Sequence, residues 1–138
     1  MADSVRVSLK LLEEMLAHAR REAQMECCGL LAGRDGTITS IFPATNSHSS
    51  ATTYEIAPRE LFALFRTLRA AGLAHMGQYH SHLSTENVPS PKDIELAGYP
   101  DLPYFIVSPR EGTPKPVRAF SIRDGIVREL EMEIVSSV

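Results

Sequence analysis

The most constraining stretch of this chain is an apolar strand that ends in two histidines and leads to a helix start. Residues 73–79 (LAHMGQY) are largely apolar and predict a buried strand. In an extended chain, residues i and i+2 point to the same face, so His80 and His82 project together. The following run, Ser90-Pro91-Lys92-Asp93, is typical of a first helical turn. The chain therefore has two imidazoles on one strand face, with a capped helix close behind them.

Paired histidines on one face suit a metal ion. Their Cα atoms are about 6–7 Å apart on a strand, and their rings can converge on one ion with bonds of about 2.0–2.1 Å. A third ligand must come from elsewhere, and Asp93 is the nearest candidate. Three protein ligands with one open position is the coordination of catalytic rather than structural zinc.

A plainer interpretation of the same residues is also open. His80 and His82 can be ordinary packing residues near a strand end, because histidine is often half buried. Ser90 and Asp93 can simply cap the helix, and a carboxylate that binds backbone N–H groups has less to offer a metal. The local pattern alone favours the cap over the ligand.

Glu26 lies between the first predicted helix and the first predicted strand. An acid at a helix end is usually a solvated surface residue. A metal with an open position, however, needs a base for its water. A carboxylate just off the metal can take that proton and return it to a leaving amine.

The composition indicates an ordinary globular protein. The 138 residues suit one domain with one core, and 43% are hydrophobic. A net charge of −3 gives no reason to expect nucleic acid or an anionic membrane as a partner. The chain shows neither an apolar run of membrane-spanning length nor the apolar core of a signal peptide, so we expect a cytoplasmic protein. Cys27 and Cys28 are adjacent, which favours two reduced thiols.

The hydrophobic periodicity predicts helices and strands in a mixed order. Asp35-Gly36 and Asp124-Gly125 are turn signals that predict two hairpins. The fold class is therefore a mixed sheet with helices packed on it, α/β or α+β. The predicted helices are Leu9–Ala23, Pro58–Ala71 and Asp93–Ala97; the predicted strands are Cys28–Ala32, Thr37–Ala44, Leu73–Tyr79, Tyr104–Ser108, Val117–Ile122 and Ile126–Glu133.

These residues together match a known signature. It consists of an upstream glutamate, then H-[S/T]-H, seven residues, Ser, two residues and Asp. Here it reads Glu26, His80-Ser81-His82, Leu83 to Pro89, Ser90, Pro91-Lys92 and Asp93. The sequence resembles the JAMM (MPN-plus) family of zinc metallopeptidases over roughly Val7 to Ile134, and ECCGLL, GQYHSHLST and PSPKD are similar to its small, single-domain prokaryotic members.

The resemblance implies a role for each matched position. His80, His82 and Asp93 would bind one Zn²⁺ per chain, with water as the fourth ligand. Glu26 would act as general base and then as general acid. Ser90 would donate a hydrogen bond to the oxyanion of the tetrahedral intermediate.

The resemblance also implies a fold. It is a single JAMM/MPN domain over residues 1–138, with a curved mixed β-sheet flanked by helices, similar to cytidine deaminase. Deaminase activity itself is not expected, because no P-C-x-x-C follows the histidines.

The family's substrates suggest a partner. Eukaryotic members cut isopeptide bonds behind the C-terminal Gly-Gly of ubiquitin, whereas small prokaryotic members are associated with ubiquitin-like sulfur-carrier proteins. We therefore expect a ubiquitin-like sulfur carrier that ends in Gly-Gly as the substrate. The alternatives are removal of ubiquitin-like modifiers from lysine, a non-catalytic MPN scaffold, and cleavage of peptidoglycan peptides. The oligomeric state is open, a homodimer included.

Overall fold

The computed structural model describes residues 3–136 as a β-barrel with three helices. Its elements, in chain order, are β1 (Ser4–Ser8), α1 (Leu9–Arg21), β2 (Cys28–Arg34), β3 (Thr37–Ala44), α2 (Pro58–Ala70), β4 (Ala74–Ser81), α3 (Pro91–Leu96), β5 (Tyr104–Val107), β6 (Val117–Arg123) and β7 (Ile126–Val135). Among the described helices, none combines the length and apolar character that a membrane span requires.

The strands form one mixed sheet that curves until it closes. Their order is β1-β3-β2-β4-β5-β6-β7, and β7 pairs with β1 to complete the barrel. The β1–β3, β1–β7 and β4–β5 pairs are parallel, and the remaining pairs are antiparallel. The predicted fold class, a curved mixed sheet with helices packed on it, is confirmed. Closure of the sheet into a barrel was not predicted.

The first strand, β1, is not among the predicted elements. Ser8 caps α1, as its side-chain oxygen accepts from the Leu11 N–H at 3.2 Å. The preceding residues, 4–8, nevertheless form β1, which pairs with β7 at the far end of the chain. Local periodicity carries little information about such a short strand, because its hydrogen bonds are made with residues distant in sequence. The ends of α1 and α3 also differ from the prediction by one or two residues.

Strand β2 carries helices on both of its faces. Leu31 belongs to a core cluster that contains Leu11 and Met15 of α1. Its neighbour Leu30 points the other way and belongs to a second cluster with Leu68 of α2. Because successive residues of a strand face opposite sides of the sheet, Leu31 packs against the α1 layer and Leu30 packs against the α2 layer. This arrangement fixes β2 firmly at the centre of the fold.

The site lies where β2 begins and β4 ends. Cys28 is directly opposite His80 in the β2–β4 ladder. Beyond that pair, the Cys27 N–H donates to the Ser81 hydroxyl at 2.8 Å, and the Ser81 N–H donates to the Cys27 carbonyl at 3.1 Å. On the other side of β4, the His82 N–H donates to the Val107 carbonyl of β5 at 2.9 Å. The histidine segment is therefore held by a neighbouring strand on each side.

A glycine in β2 should test this packing. An alanine Cβ at Gly29 would lie 2.6 Å from the Phe42 carbonyl oxygen and 2.6 Å from the Tyr79 ring. We expect Gly29→Ala to lower the free energy of unfolding by about 1–3 kcal/mol, because overpacking forces backbone and ring apart. Urea denaturation measures this change. Gly98→Ala is the matched control, since its Cβ meets nothing within 4 Å; an equal loss in both variants would contradict the packing argument.

Candidate metal centre

Three side-chain donors converge at the end of β4 and the start of α3. The Nε2 atoms of His80 and His82 are 3.2 Å apart. The two carboxylate oxygens of Asp93 lie 3.2 Å from His80 Nε2 and 3.0 Å from His82 Nε2. A tetrahedral ion with bonds of about 2.0–2.1 Å has ligand atoms about 3.3 Å apart, so the spacing and the donor types fit a metal ion.

The ring of each histidine is held in place, although by different means. His82 Nδ1 lies 2.9 Å from the Glu86 carbonyl oxygen, which requires the proton on Nδ1 and leaves the Nε2 lone pair free. His80 stacks on the Tyr54 ring, with centroids 4.4 Å apart and an interplanar angle of 22°. His80 Nδ1 has no hydrogen-bond partner among residues 3–136. One ring is thus held by a carbonyl and the other by an aromatic face.

Asp93 caps its helix and faces both histidines at the same time. The Asp93 N–H donates to the Ser90 hydroxyl at 3.1 Å, and the Ser90 N–H donates to Asp93 Oδ2 at 2.9 Å. Oδ1 faces His80. The two interpretations left open by the sequence, cap and ligand, are therefore compatible. The backbone bond from Ser90 fixes the carboxylate rather than removing it from the cluster.

The cluster is electrostatically suited to a cation. Burial raises the pKa of Asp93, but hydrogen bonds with His80 and His82 outweigh it and hold that pKa well below its usual value. Burial lowers the pKa of His80. For His82, burial is outweighed by Asp93 and the Glu86 carbonyl, so its pKa is raised. At neutral pH the carboxylate is charged and His80 is neutral, as metal binding requires, whereas the raised pKa of His82 means that a metal ion competes with a proton for its Nε2.

Glu26 is not one of the three converging donors, but the charges of His82 and Asp93 act on its carboxyl. The residue is buried, with only 5% of its surface exposed. Its N–H donates to the Ser50 carbonyl at 2.8 Å. Burial raises the pKa of its carboxyl to about 7, and the charges of His82 and Asp93 shift it further in opposite directions. An acid with this pKa can both accept and donate a proton near neutral pH.

A cavity of about 450 Å³ opens beside the donors. His80 and Asp93 form part of its wall, together with apolar and aromatic residues from the segment before α2, from α2, from α3 and the segment after it, and from the start of β5. This apolar and aromatic part of the wall is not contained in the motif. It includes Tyr54, Ile56, Leu61, Leu96, Tyr99 and Tyr104. Only their positions in the folded chain bring these residues to the site, since nothing in the motif spacing connects them.

Comparison with known proteins identifies the family. Residues 8–123 match the family described as prokaryotic homologs of the JAB domain. The chain belongs to this family. It is 37% identical over 127 residues to the CysO-cysteine peptidase of Mycobacterium tuberculosis, covering 91% of this chain and 87% of that protein. It is 40% identical over 116 residues to a probable TtuB-protein conjugate cleaving protease of Thermus thermophilus, covering 83% and 74%.

Solved structures show the same fold. A protein of Desulfitobacterium hafniense superposes with a TM-score of 0.87 at 34% identity, covering 97% of this chain and 94% of that one. A JAB1/MPN domain protein of Archaeoglobus fulgidus superposes with a TM-score of 0.63 at 19% identity, covering 98% and 100%. The predicted JAMM/MPN fold and family resemblance are confirmed.

Asp93→Asn should separate the ligand from the cap. Asparagine keeps an oxygen that can accept from the Ser90 N–H, but it loses the charge and one carboxylate oxygen. We expect affinity for Zn²⁺ to fall at least about 10²-fold, measured by competition with a chelator. Ser90→Ala is the control, because it removes the acceptor for the Asp93 N–H and keeps all three donors. Wild-type affinity in Asp93→Asn would exclude Asp93 as a ligand.

Glu26→Gln should change the stability of the metal-free protein in a pH-dependent way. The folded-state pKa is raised from 4.5 to about 7, so the buried carboxyl favours the folded state while protonated and disfavours it once charged. Its stabilising contribution is complete below pH 4.5 and is lost as the pH rises through about 7. We expect the variant to be more stable than wild type by about 2 kcal/mol at pH 8, and the gap to close toward pH 5.

Denaturation in the presence of a chelator at both pH values measures this difference. Glu13→Gln, at an exposed position of α1, is the matched control and should not change with pH in this way. If the difference in the free energy of unfolding between Glu26→Gln and wild type were the same at both pH values, it would contradict the raised pKa of Glu26.

Proposed function

We propose that this protein is a zinc-dependent metallopeptidase that cleaves after the C-terminal Gly-Gly of a ubiquitin-like sulfur-carrier protein. The observation that carries the proposal is the convergence of His80, His82 and Asp93, with the buried acid Glu26 beside them. Two imidazoles, one carboxylate and an adjacent acid are the parts that zinc-assisted amide hydrolysis needs. The proposed stoichiometry is one Zn²⁺ per chain.

The chain's own residues account for the proton transfers. Zinc, when bound by the three donors, lowers the pKa of its water to about 7 and polarises a carbonyl. Glu26 accepts the proton of the attacking water, because its carboxyl is within reach of the charges of His82 and Asp93 and its pKa is about 7. After the water attacks the scissile carbonyl, Glu26 gives that proton to the departing nitrogen. One buried acid thus serves as base and then as acid.

Ser90 is the proposed oxyanion donor. Its Oγ accepts from the Asp93 N–H, so the hydroxyl hydrogen remains free to point at a substrate oxygen. The capping bond fixes Oγ next to the carboxylate that faces both histidines. A donor held in place before reaction stabilises developing negative charge without reorganising, and loss of one such donor costs about 10²–10³ in rate.

The relatives' names support the choice of substrate. The Mycobacterium tuberculosis relative is a CysO-cysteine peptidase, and family resemblance links small members of this kind to ubiquitin-like sulfur carriers. The cavity beside the donors would accept an extended tail that ends in two glycines. The second candidate is removal of ubiquitin-like modifiers from lysine. The name of the Thermus thermophilus relative, a probable TtuB-protein conjugate cleaving protease, favours a protein conjugate as the substrate. A non-catalytic scaffold is disfavoured, since every donor position is filled.

Two matched substrates distinguish the candidates. A ubiquitin-fold carrier ending in Gly-Gly is joined to cysteine through an α-amide, and to a lysine peptide through an ε-amide. We expect the zinc-loaded protein to release the carrier from the cysteine adduct faster, as followed by mass spectrometry. A faster reaction on the lysine conjugate would favour the second candidate, and cleavage of neither would contradict the proposal.

Glu26→Gln tests the proposed base in the same assay. We expect the variant to retain zinc and to lose about 10²–10⁴ in kcat, because the amide can neither accept nor return the proton. Zinc content is measured on the same sample. Wild-type turnover by a zinc-loaded Glu26→Gln protein would remove Glu26 from the mechanism.

A further inference from the structure

The segment between β3 and α2 is organised by one buried side chain. Asn46 is only 3% exposed. Its Oδ1 accepts from the His48 N–H at 3.0 Å and the Glu55 N–H at 3.3 Å. Its Nδ2 donates to the Thr53 carbonyl at 2.9 Å and also lies 3.3 Å from the Ser50 carbonyl. The Asn46 side-chain amide therefore links the beginning of the 46–55 segment to its end by hydrogen bonds.

The same amide also reaches the proposed base. Asn46 Nδ2 lies 3.1 Å from the Glu26 carbonyl oxygen. The Glu26 N–H donates to the Ser50 carbonyl at 2.8 Å. Both backbone polar groups of Glu26 are thus bound to the 46–55 segment. Glu26 lies in neither α1 nor β2, so no helix or strand ladder fixes its backbone.

A second contact leads from Asn46 to the donors. Its partners Thr53 and Glu55 flank Tyr54, and the Tyr54 ring stacks on His80. The amide therefore fixes the residues on each side of the ring that packs on a proposed metal ligand. Through Glu26 on one side and Tyr54 on the other, it connects two parts of the site that are far apart in sequence.

We infer that Asn46 is a positioning residue that sets the place of Glu26 relative to the His80, His82 and Asp93 donors. The inference rests on the proposed function, in which Glu26 is the base. Only an amide of this size supplies both a two-hydrogen donor and an acceptor here. Misplacement of a catalytic group by about 1 Å can cost about 10² in rate, so a side chain that touches no substrate can control turnover.

Asn46→Asp is the sharpest test. The acid has the same size, but it loses the donor to the Glu26 and Thr53 carbonyls and brings negative charge against them. We expect kcat to fall about 10²-fold at temperatures where the variant is folded, with a smaller change in KM and unchanged zinc content. A residue needed only for folding would lower the unfolding temperature and leave kcat of the folded protein unchanged, which would overturn the inference.

Ser47→Ala is the matched control in the same segment. It removes the bond from the Ser47 hydroxyl to the Glu55 carbonyl at 2.9 Å but none of the bonds to Glu26, so wild-type kcat is expected. An equal loss of kcat in this control would overturn the inference. If Asn46→Asp does not fold, Asn46→Ser takes its place, because the smaller side chain leaves room for water. Asn46→Ser must then show the same loss of kcat.

A readout that does not use activity separates the two proposals. Amide hydrogen exchange of zinc-loaded protein reports the Glu26 and Glu55 N–H groups directly. We expect the Glu26 N–H to exchange faster in Asn46→Asp than in Ser47→Ala, because the lost donor no longer holds the segment that carries its Ser50 acceptor. The Glu55 N–H keeps an oxygen acceptor at position 46 and serves as the internal reference. If the wild type cleaves neither test substrate, the proposed function fails, and exchange alone decides the positioning role. If the Glu26 N–H exchanged at the same rate in Asn46→Asp as in the wild type, the positioning role of Asn46 would be overturned.

Discussion

The paired hydrogen bonds between Cys27 and Ser81 are the interaction on which the site depends. They continue the β2–β4 ladder one step beyond the Cys28–His80 pair, at the point where both strands reach the donors. Because Ser81 points away from its neighbouring histidines, its hydroxyl can hold Cys27 while His80 and His82 face the cluster. The same step places Glu26, the residue before Cys27, at the end of the ladder from which the donors project. The middle residue of the H-S-H motif thus links the segment of Glu26, the proposed base, to the strand that carries the proposed ligands His80 and His82.

Asp93 shows how one side chain serves local and tertiary structure together. Its bond to the Ser90 N–H belongs to the helix start and forms within four residues. Its contacts with His80 and His82 depend on α3 lying against the end of β4. A carboxylate that is already fixed by its own helix loses little side-chain entropy when it binds a metal. The capping box therefore supports the site instead of competing with it.

The burial of Glu26 shows that this site is organised at the expense of stability. A carboxyl with a pKa raised to about 7 disfavours the folded state once it is charged. Its backbone must also be fixed without a helix or strand, a role that falls to the 46–55 segment and the Asn46 amide. Strained or desolvated groups of this kind are common at active sites, because catalysis needs perturbed pKa values and fixed geometry. The core clusters around β2 supply the compensating stability.

The sequence by itself determined the features whose causes lie within a few residues. These are the shared face of His80 and His82, the Ser90–Asp93 cap, and the Asp-Gly turns at 35–36 and 124–125, where both residues of each pair adopt positive φ as a tight hairpin requires. The motif spacing also supplied the family. Only the tertiary structure decided the pairing of β1 with β7, the closure of the barrel and the links from Asn46 to Glu26. Those contacts join residues far apart in sequence, and no local periodicity or propensity encodes which distant groups will meet.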